Sequence, residues 1–236
     1  MIPKFFKINS GYKQMIKKRK NILKIAIDSP AAAGAGTIAK TISKHYNLLY
    51  LDTGKTYRLI AYLKLKYPKK FNLKFVQEKI RKLKINQLNS KVLLTDKVGQ
   101  LASIIAKKKS IRNIVHSFQL NYAYNPPRKY DGSCLDGRDI TYNIVPDANL
   151  KFFITANIKI RAKRRYKELL GLKQKISYNE VLKSIKKRDK SDYSRKIAPL
   201  KKTKDSVLIN TSNLTKRACF LKIKKIIDKT IINGNI

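Results

Sequence analysis

Ile25-Ala26-Ile27-Asp28-Ser29-Pro30-Ala31-Ala32-Ala33-Gly34-Ala35-Gly36-Thr37-Ile38-Ala39-Lys40 is the stretch on which the fold turns. An apolar run stops at a loop of small residues, and a helix pattern begins at once. Strand, tight loop, helix is the plan of a loop that cradles phosphate. The usual pattern is G-x-x-x-x-G-K-[ST]. Gly34 keeps the second glycine, Ser29 replaces the first, and Ala35 stands where the lysine belongs. The loop is either a coincidence of small residues or a phosphate cradle without its charge. The rest of the chain decides.

Outward from the loop, Leu23–Asp28 reads as a buried strand. Ile38, Ala39 and Ile42 share one helical face, which ends near His45-Tyr46-Asn47. Leu48–Asp52 is a second short strand, broken by Thr53-Gly54, and Tyr57–Lys66 a helix stopped by Pro68. Two apolar runs around Asn89-Ser90 predict a hairpin over Leu83–Thr95. Val98–Ala123 reads as mostly helical and is ended by Asn125-Pro126-Pro127. A third strand through Cys134-Leu135 leads into Asp136-Gly137-Arg138-Asp139, and Lys151–Thr155 is a fourth. Asn157 caps the next helix and Gly171 ends it. Ser177 and Glu180 form a capping box for a helix through about Asp189. Val207–Asn210 is a fifth strand, and residues 215–231 a last helix. The class is α/β: a five-stranded parallel sheet flanked by helices. Ligands of such sheets bind beyond the carboxyl ends of the strands. The loops at 29–37, 52–58 and 136–139 all follow strands, so they are expected on one edge.

At 236 residues the chain can bury one sizeable core. An apolar content of 43% excludes a disordered protein, and no apolar run is long enough to cross a bilayer. The two cysteines, Cys134 and Cys219, make neither metal spacing nor a disulfide framework. They read as buried thiols in a reducing compartment, which gives a cytoplasmic expectation. With 55 Lys and Arg against 14 Asp and Glu, the chain attracts anions generally. The charge is mostly Lys and diffuse, as compositional drift would leave it. Nucleic-acid readers instead gather charge on one element beside stacking aromatics, so nucleic acid is not an expected partner. Residues 1–21 carry basic residues and no acid, and read as a disordered basic tail.

Three groups line up in order: Ser29–Thr37, then Leu51-Asp52-Thr53-Gly54-Lys55-Thr56-Tyr57-Arg58, then Asp136-Gly137-Arg138-Asp139. Arg188-Asp189, Asp192, Arg195 and Ala198-Pro199-Leu200 follow. In this order they resemble the bacterial cytidylate (CMP) kinases, nucleoside monophosphate kinases of the P-loop fold. Their usual forms are D-G-P-x-x-x-G-K-G-T, L-D-T/S-G-x-x-Y-R, D-G-R-D and R-D-x-x-D-x-x-R-x-x-A-P-L. The likeness spans roughly residues 22–230. It implies phosphorylation of CMP and dCMP by ATP with magnesium. The chain is expected to be a monomer. The domain would run over 22–236, with a monophosphate-binding insertion at about 55–125 and a lid at about 157–175.

Chemistry and resemblance agree on roles. Phosphoryl transfer needs positioning and charge neutralisation above all. Ser29, Pro30, Ala31, Ala32, Ala33, Gly34, Ala35, Gly36 and Thr37 would hold ATP, with backbone N–H groups at a helix N-terminus. Arg58 and Arg138 would grip the monophosphate, since arginine pairs bidentately with phosphate. The resemblance adds Thr53, Tyr57, Ser103, Arg112, Asp139, Arg188, Asp192 and Arg195 to the CMP site. Arg138, Asp139, Arg161 and Arg165 are the catalytic candidates, and Arg164 a further lid arginine. No dedicated metal ligands are expected, because magnesium arrives with ATP.

The departures fall at places that matter. Ala35 removes the phosphate-reaching lysine. Leu94 and Leu120 stand where arginine is usual, Thr141-Tyr142 replace Gly-Thr, and Ser191 replaces a frequent arginine. Lys40 points away, while Lys55, Lys163 or a lid arginine could approach on closure. Three readings stay open at this point. They are an active kinase, a catalytically impaired nucleotide-binding relative, and a basic nucleic-acid-binding protein on this scaffold. Retention of Thr53, Tyr57, Arg58, Arg138, Asp139, Arg188, Asp192 and Arg195 favours the first over the third.

Overall fold

The structure is a computed structural model that describes residues 22–232. The basic tail read over residues 1–21 lies outside the described residues. Five strands form one parallel sheet in the order β2-β3-β1-β4-β5. They are β1 (Leu23–Asp28), β2 (Leu48–Asp52), β3 (Gly132–Gly137), β4 (Leu150–Thr155) and β5 (Val207–Asn210). This is the architecture expected from the alternating strand and helix patterns.

Alternation along the strands builds a core on each face. Ile25 and Ile27 of β1, with Cys134, Phe152 and Ile154, pack under α1 (Ala35–His45) and a C-terminal helix, Lys216–Ile232. Ala26, Leu51 and Leu135 face the other way. They meet α2 (Thr53–Lys66), α3 (Leu73–Arg81), α4 (Asp96–Ile105) and α5 (Lys109–Tyr124). A third, small cluster of Ala162, Leu169, Val181 and Ile185 holds α6 (Ile158–Gly171) against α7 (Tyr178–Ser194). The C-terminal helix is therefore α8. Both cysteines are free and buried, as read from their spacing.

Caps read from sequence are in place. Asn157 Oδ1 accepts from Lys159 N at 2.9 Å, and Ser177 and Glu180 complete a reciprocal box. Three readings need correction. The helix after β2 starts at Thr53, because the Asp52 side chain caps it by accepting from Lys55 N. The hairpin over 83–95 is absent. Two 3₁₀ turns, Ile85–Asn89 and Lys91–Leu94, fill that segment instead. Half-buried Ile85 and buried Leu88 are three residues apart, and that is the 3₁₀ repeat. Helix α7 also runs past Asp189 to Ser194, which carries Asp192 within it.

Because every strand is parallel, the three loops share the carboxyl edge of the sheet. Asp28 pairs with Gly137 and Asp52 with Asp136. The Ser29 N–H donates to Gly137 O at 3.1 Å, which ties the phosphate loop to β3.

Candidate active site

A cavity of about 730 Å³ opens at that edge. The whole loop Ser29–Thr37 lines it, together with Thr53, Tyr57, Arg58, Ser103, Arg112, Arg138, Asp139, Arg165, Arg188, Asp192 and Arg195. Nearly every residue singled out in sequence thus meets in one space. Arg161 is the exception, as it does not border the cavity.

The loop is a backbone cradle. Gly34 takes φ 92°, a left-handed conformation that suits glycine, and starts α1. No acid lies in the first turn of α1, so its N–H groups and dipole face the cavity uncompensated. Ala35 borders the cavity and is otherwise buried among apolar neighbours. Lys40 lies instead with Nζ 5.9 Å from the Tyr50 ring centroid, and neither Lys55 nor Lys163 borders the cavity. Arg164 does. Its Nη1 donates to Thr211 Oγ1 at 2.9 Å and to Ala33 O at 3.4 Å, and its Nη2 to Thr211 O at 2.7 Å. Thr211 also donates to Ala33 O at 2.8 Å. Arg164 and Thr211 thereby brace the loop from outside.

Beside the loop lies a group of arginines. Arg58, from α2, donates to Leu93 O at 2.6 Å, and Arg165, from α6, to Leu94 O at 2.7 Å. Burial, with Arg188 and Arg165 close by, pushes Arg58 down to about 9. Burial and the charges of Arg138 and Arg165 likewise depress Arg188. Its Nε is buried without a hydrogen-bond partner among the described residues. Cations crowded and desolvated in this way gain most from a bound anion.

The acids are arranged around the other arginines. Asp192 accepts from Arg138 Nε at 2.8 Å and lies 3.6 Å from Arg195. Burial opposes its charge, but Arg138, Arg195 and Arg188 outweigh burial and lower its pKa. Asp139 accepts from Arg112 and from Asn143 Nδ2, the latter at 2.7 Å. Arg112 also lies over the Tyr57 ring, 5.6 Å from its centroid. Ser103 Oγ reaches Ser191 Oγ at 3.5 Å, so the changed position at Ser191 meets the insertion. Arg161 is fully engaged by Asp189 Oδ2 at 2.6 Å, Ala156 O at 2.9 Å and Ala31 O at 3.1 Å. It fastens α6 and α7 to the loop.

Three contributions were not read from sequence. Buried Asp28 accepts from Ile140 N at 2.8 Å, Thr141 N at 2.9 Å and Thr141 Oγ1 at 2.6 Å, and so fixes the turn after Asp139. Burial outweighs those bonds and pushes it up to about 6. Thr141 is therefore an anchor, and Tyr142 beside it donates to Pro199 O. Gly99 leaves room for Arg58, since a Cβ there would sit 2.8 Å from Nη2. Asp136 is pushed up to about 8 by burial and by Asp52, and its Oδ1 has no partner among the described residues. The only sequence signal for the first was the position of Asp28 at a strand end.

A phosphate loop on a parallel sheet, facing clustered arginines, defines a P-loop phosphotransferase. The sequence profile of the family described as cytidylate kinase matches residues 25–229. Curated relatives named cytidylate kinase include one from Bartonella tribocorum, 42% identical over 88% of this chain and 95% of its own length. Those from Mesorhizobium japonicum and Mesomycoplasma hyopneumoniae are 35% and 36% identical. They span 91% and 89% of this chain, and 98% and 95% of their own lengths. An uncharacterized protein from Eubacterium ventriosum, solved by crystallography, shares the fold with TM-score 0.50 and 17% identity. That match covers 87% of this chain and 98% of the other. The chain belongs to the cytidylate kinase family.

Proposed function

We propose that this chain transfers the terminal phosphoryl group of ATP to CMP and dCMP, yielding CDP and dCDP. The single observation that carries the reading is the desolvated group of Arg58, Arg165 and Arg188 beside Arg138, with Arg188 Nε unpartnered. It is a site built for a phosphate dianion next to a second phosphate cradle. The monophosphate is held by Arg58, Arg138 and Arg188, with Asp192 and Arg195 setting Arg138. Tyr57, Ser103, Arg112 and Asp139 recognise the nucleoside, and Thr53, which donates to Asp136 O at 2.8 Å, holds β3 beside it. Arg165 neutralises charge on the migrating group, and Arg161 is a positioning residue for the loop. The insertion (about 55–125) and the lid (about 157–175) close on each other, supported by Arg165 bound to Leu94 O.

Magnesium, arriving with ATP, supplies charge neutralisation at the phosphates. The residues present fit it, because Asp136 and Asp52 bring two carboxyls together at the strand ends, and a cation there would relieve the burial and repulsion that hold Asp136 protonated. Ala35 leaves the loop without its own cation. Arg164 Nη1 lies 3.7 Å from the position of a Cβ on Gly34 and is a cation held beside the loop. It is held by Thr211, so it substitutes incompletely. Losing one preorganised donor costs ~10²–10³ in rate, which makes this a slow kinase. We place it in the cytoplasm as a monomer; among the described residues no helix is long and apolar enough to cross a membrane.

An ATP-coupled assay with CMP, dCMP and UMP tests the reading. Wild type is expected to turn over CMP and dCMP, and Ala35→Lys to raise the rate by up to ~10²-fold. Arg138→Ala is expected to abolish turnover with the far-UV CD spectrum unchanged. CMP binding without turnover in either wild type or Ala35→Lys would leave a nucleotide-binding module in place of an enzyme.

A further inference from the structure

Basic residues also gather away from the catalytic cavity. Between Tyr62 and Lys82 the chain carries eight Lys or Arg against one acid, Glu78. This stretch is the far end of α2, the Pro68–Lys70 turn and α3, away from the cavity. Lys66, Lys69, Lys70 and Lys74 are all exposed. Four aromatics are interleaved with them. Lys64 Nζ lies 5.7 Å from the Phe71 ring centroid, and Lys79 Nζ 5.4 Å from that of Phe75. Lys66 Nζ is 5.7 Å from the Tyr62 centroid and 5.4 Å from that of Tyr67. Tyr67 and Phe75 meet edge to face at 6.0 Å. Tyr67 is 38% exposed and Leu73 50% exposed, so apolar surface stands open among the lysines.

We propose that this face binds single-stranded nucleic acid. A solvated helix face needs charge of either sign and no aromatics. Here one sign dominates, and rings lie within reach of exposed ammonium groups. That combination fits a strand whose phosphates meet lysines while its bases stack on Tyr67 and Phe75. The rings already attract cations through their faces, and a stacked base uses the same faces. Duplex DNA offers phosphates but no open base faces, so single strands are the better fit. The expectation of diffuse charge drawn from composition is replaced, at this face, by the placement the fold gives it. The site is separate from the catalytic cavity, and its occupancy does not require that cavity to work.

The test is fluorescence anisotropy with a labelled uridine oligomer of about twenty nucleotides, titrated over about 50–300 mM salt. The patch variant replaces Lys66, Lys69, Lys70 and Lys74 with Gln. A control removes equal charge from exposed positions of α8: Arg217, Lys222, Lys225 and Lys229 to Gln. The patch variant is expected to flatten the salt slope by about 3, at ~0.7 per phosphate lost, and the control to change it little. Tyr67→Leu, with charge intact, is expected to weaken single-strand binding about fivefold or more and duplex binding not at all. Unchanged thermal melting of each variant confirms that folding is not the cause, and CMP turnover is read separately. Equal losses in patch variant and control would overturn the proposal, as would indifference to Tyr67→Leu. Tighter binding to vesicles containing phosphatidylserine than to the oligomer would assign the face to membranes instead.

Discussion

Asp136 stands at the end of β3 beside Asp52, where its carboxyl is pushed up to about 8 by burial and then by Asp52. An unfolded aspartate titrates near 4. The folded state therefore holds an extra proton between about pH 4 and 8, so stability falls progressively over that interval and levels off above about 8. Thermal melting of the wild type is expected to fall between about pH 5 and 8 and to change little above that. Asp136→Asn is expected to flatten that fall and to abolish turnover. An unchanged pH profile in the variant would remove Asp136 as its source. Gly99 makes a second demand at a single position. A methyl there would lie 2.8 Å from Arg58 Nη2 and 3.1 Å from Nη1, so the guanidinium must move. Gly99→Ala is expected to raise KM for CMP about tenfold or more, as for a displaced charged hydrogen bond. The KM for ATP should stay near wild type, and a loss confined to ATP would refute the role.

Among the elements, α7 presents Arg188 and Asp192 to the cavity, and its start is set by Ser177. Ser177 Oγ accepts from Glu180 N at 3.2 Å, and Glu180 Oε2 accepts from Ser177 N at 2.7 Å. Ser177→Ala is expected to cost about 1 kcal/mol. Amide exchange over residues 178–182 would then quicken about fivefold, with exchange in β1 unchanged. This cap was legible because Ser-x-x-Glu before an apolar period has one structural meaning. The order of strands, loops and helices was legible for the same reason, as was the meeting of Arg58, Arg138 and Asp192. The 83–95 segment was not, because short apolar runs fit a strand or a 3₁₀ turn until their packing partner is known. Thr53-Gly54 misled in the same way, since Asp-Thr-Gly reads both as a break and as a capped helix start. Arg161 carried no sign that Asp189 and Ala31 O would claim it. Such long-range partners are set by the fold, and helical spacing alone cannot supply them.

At the scale of the molecule, a formal charge of +41 repels itself in the folded state. Few acids offset it, and the buried pairs include Arg138 with Asp192, which lines the cavity, and Arg161 with Asp189, which lies behind the phosphate loop. Surface pairs such as Lys151 with Asp205 contribute little. Added salt screens the diffuse repulsion over a Debye length that shortens from about 30 Å at 0.01 M to about 10 Å at 0.1 M. Buried pairs are screened far less. The melting temperature is therefore expected to rise by several degrees as sodium chloride goes from about 0.01 to 0.5 M. The same screening weakens capture of anions, so KM for CMP and ATP should rise over that range while kcat holds. Scanning calorimetry and initial rates in matched buffers measure the two together. A melting temperature that falls with salt would mean that attraction between surface charges exceeds their repulsion. With four basic residues for each acid, that outcome would require the acids to be placed far better than the fold places them.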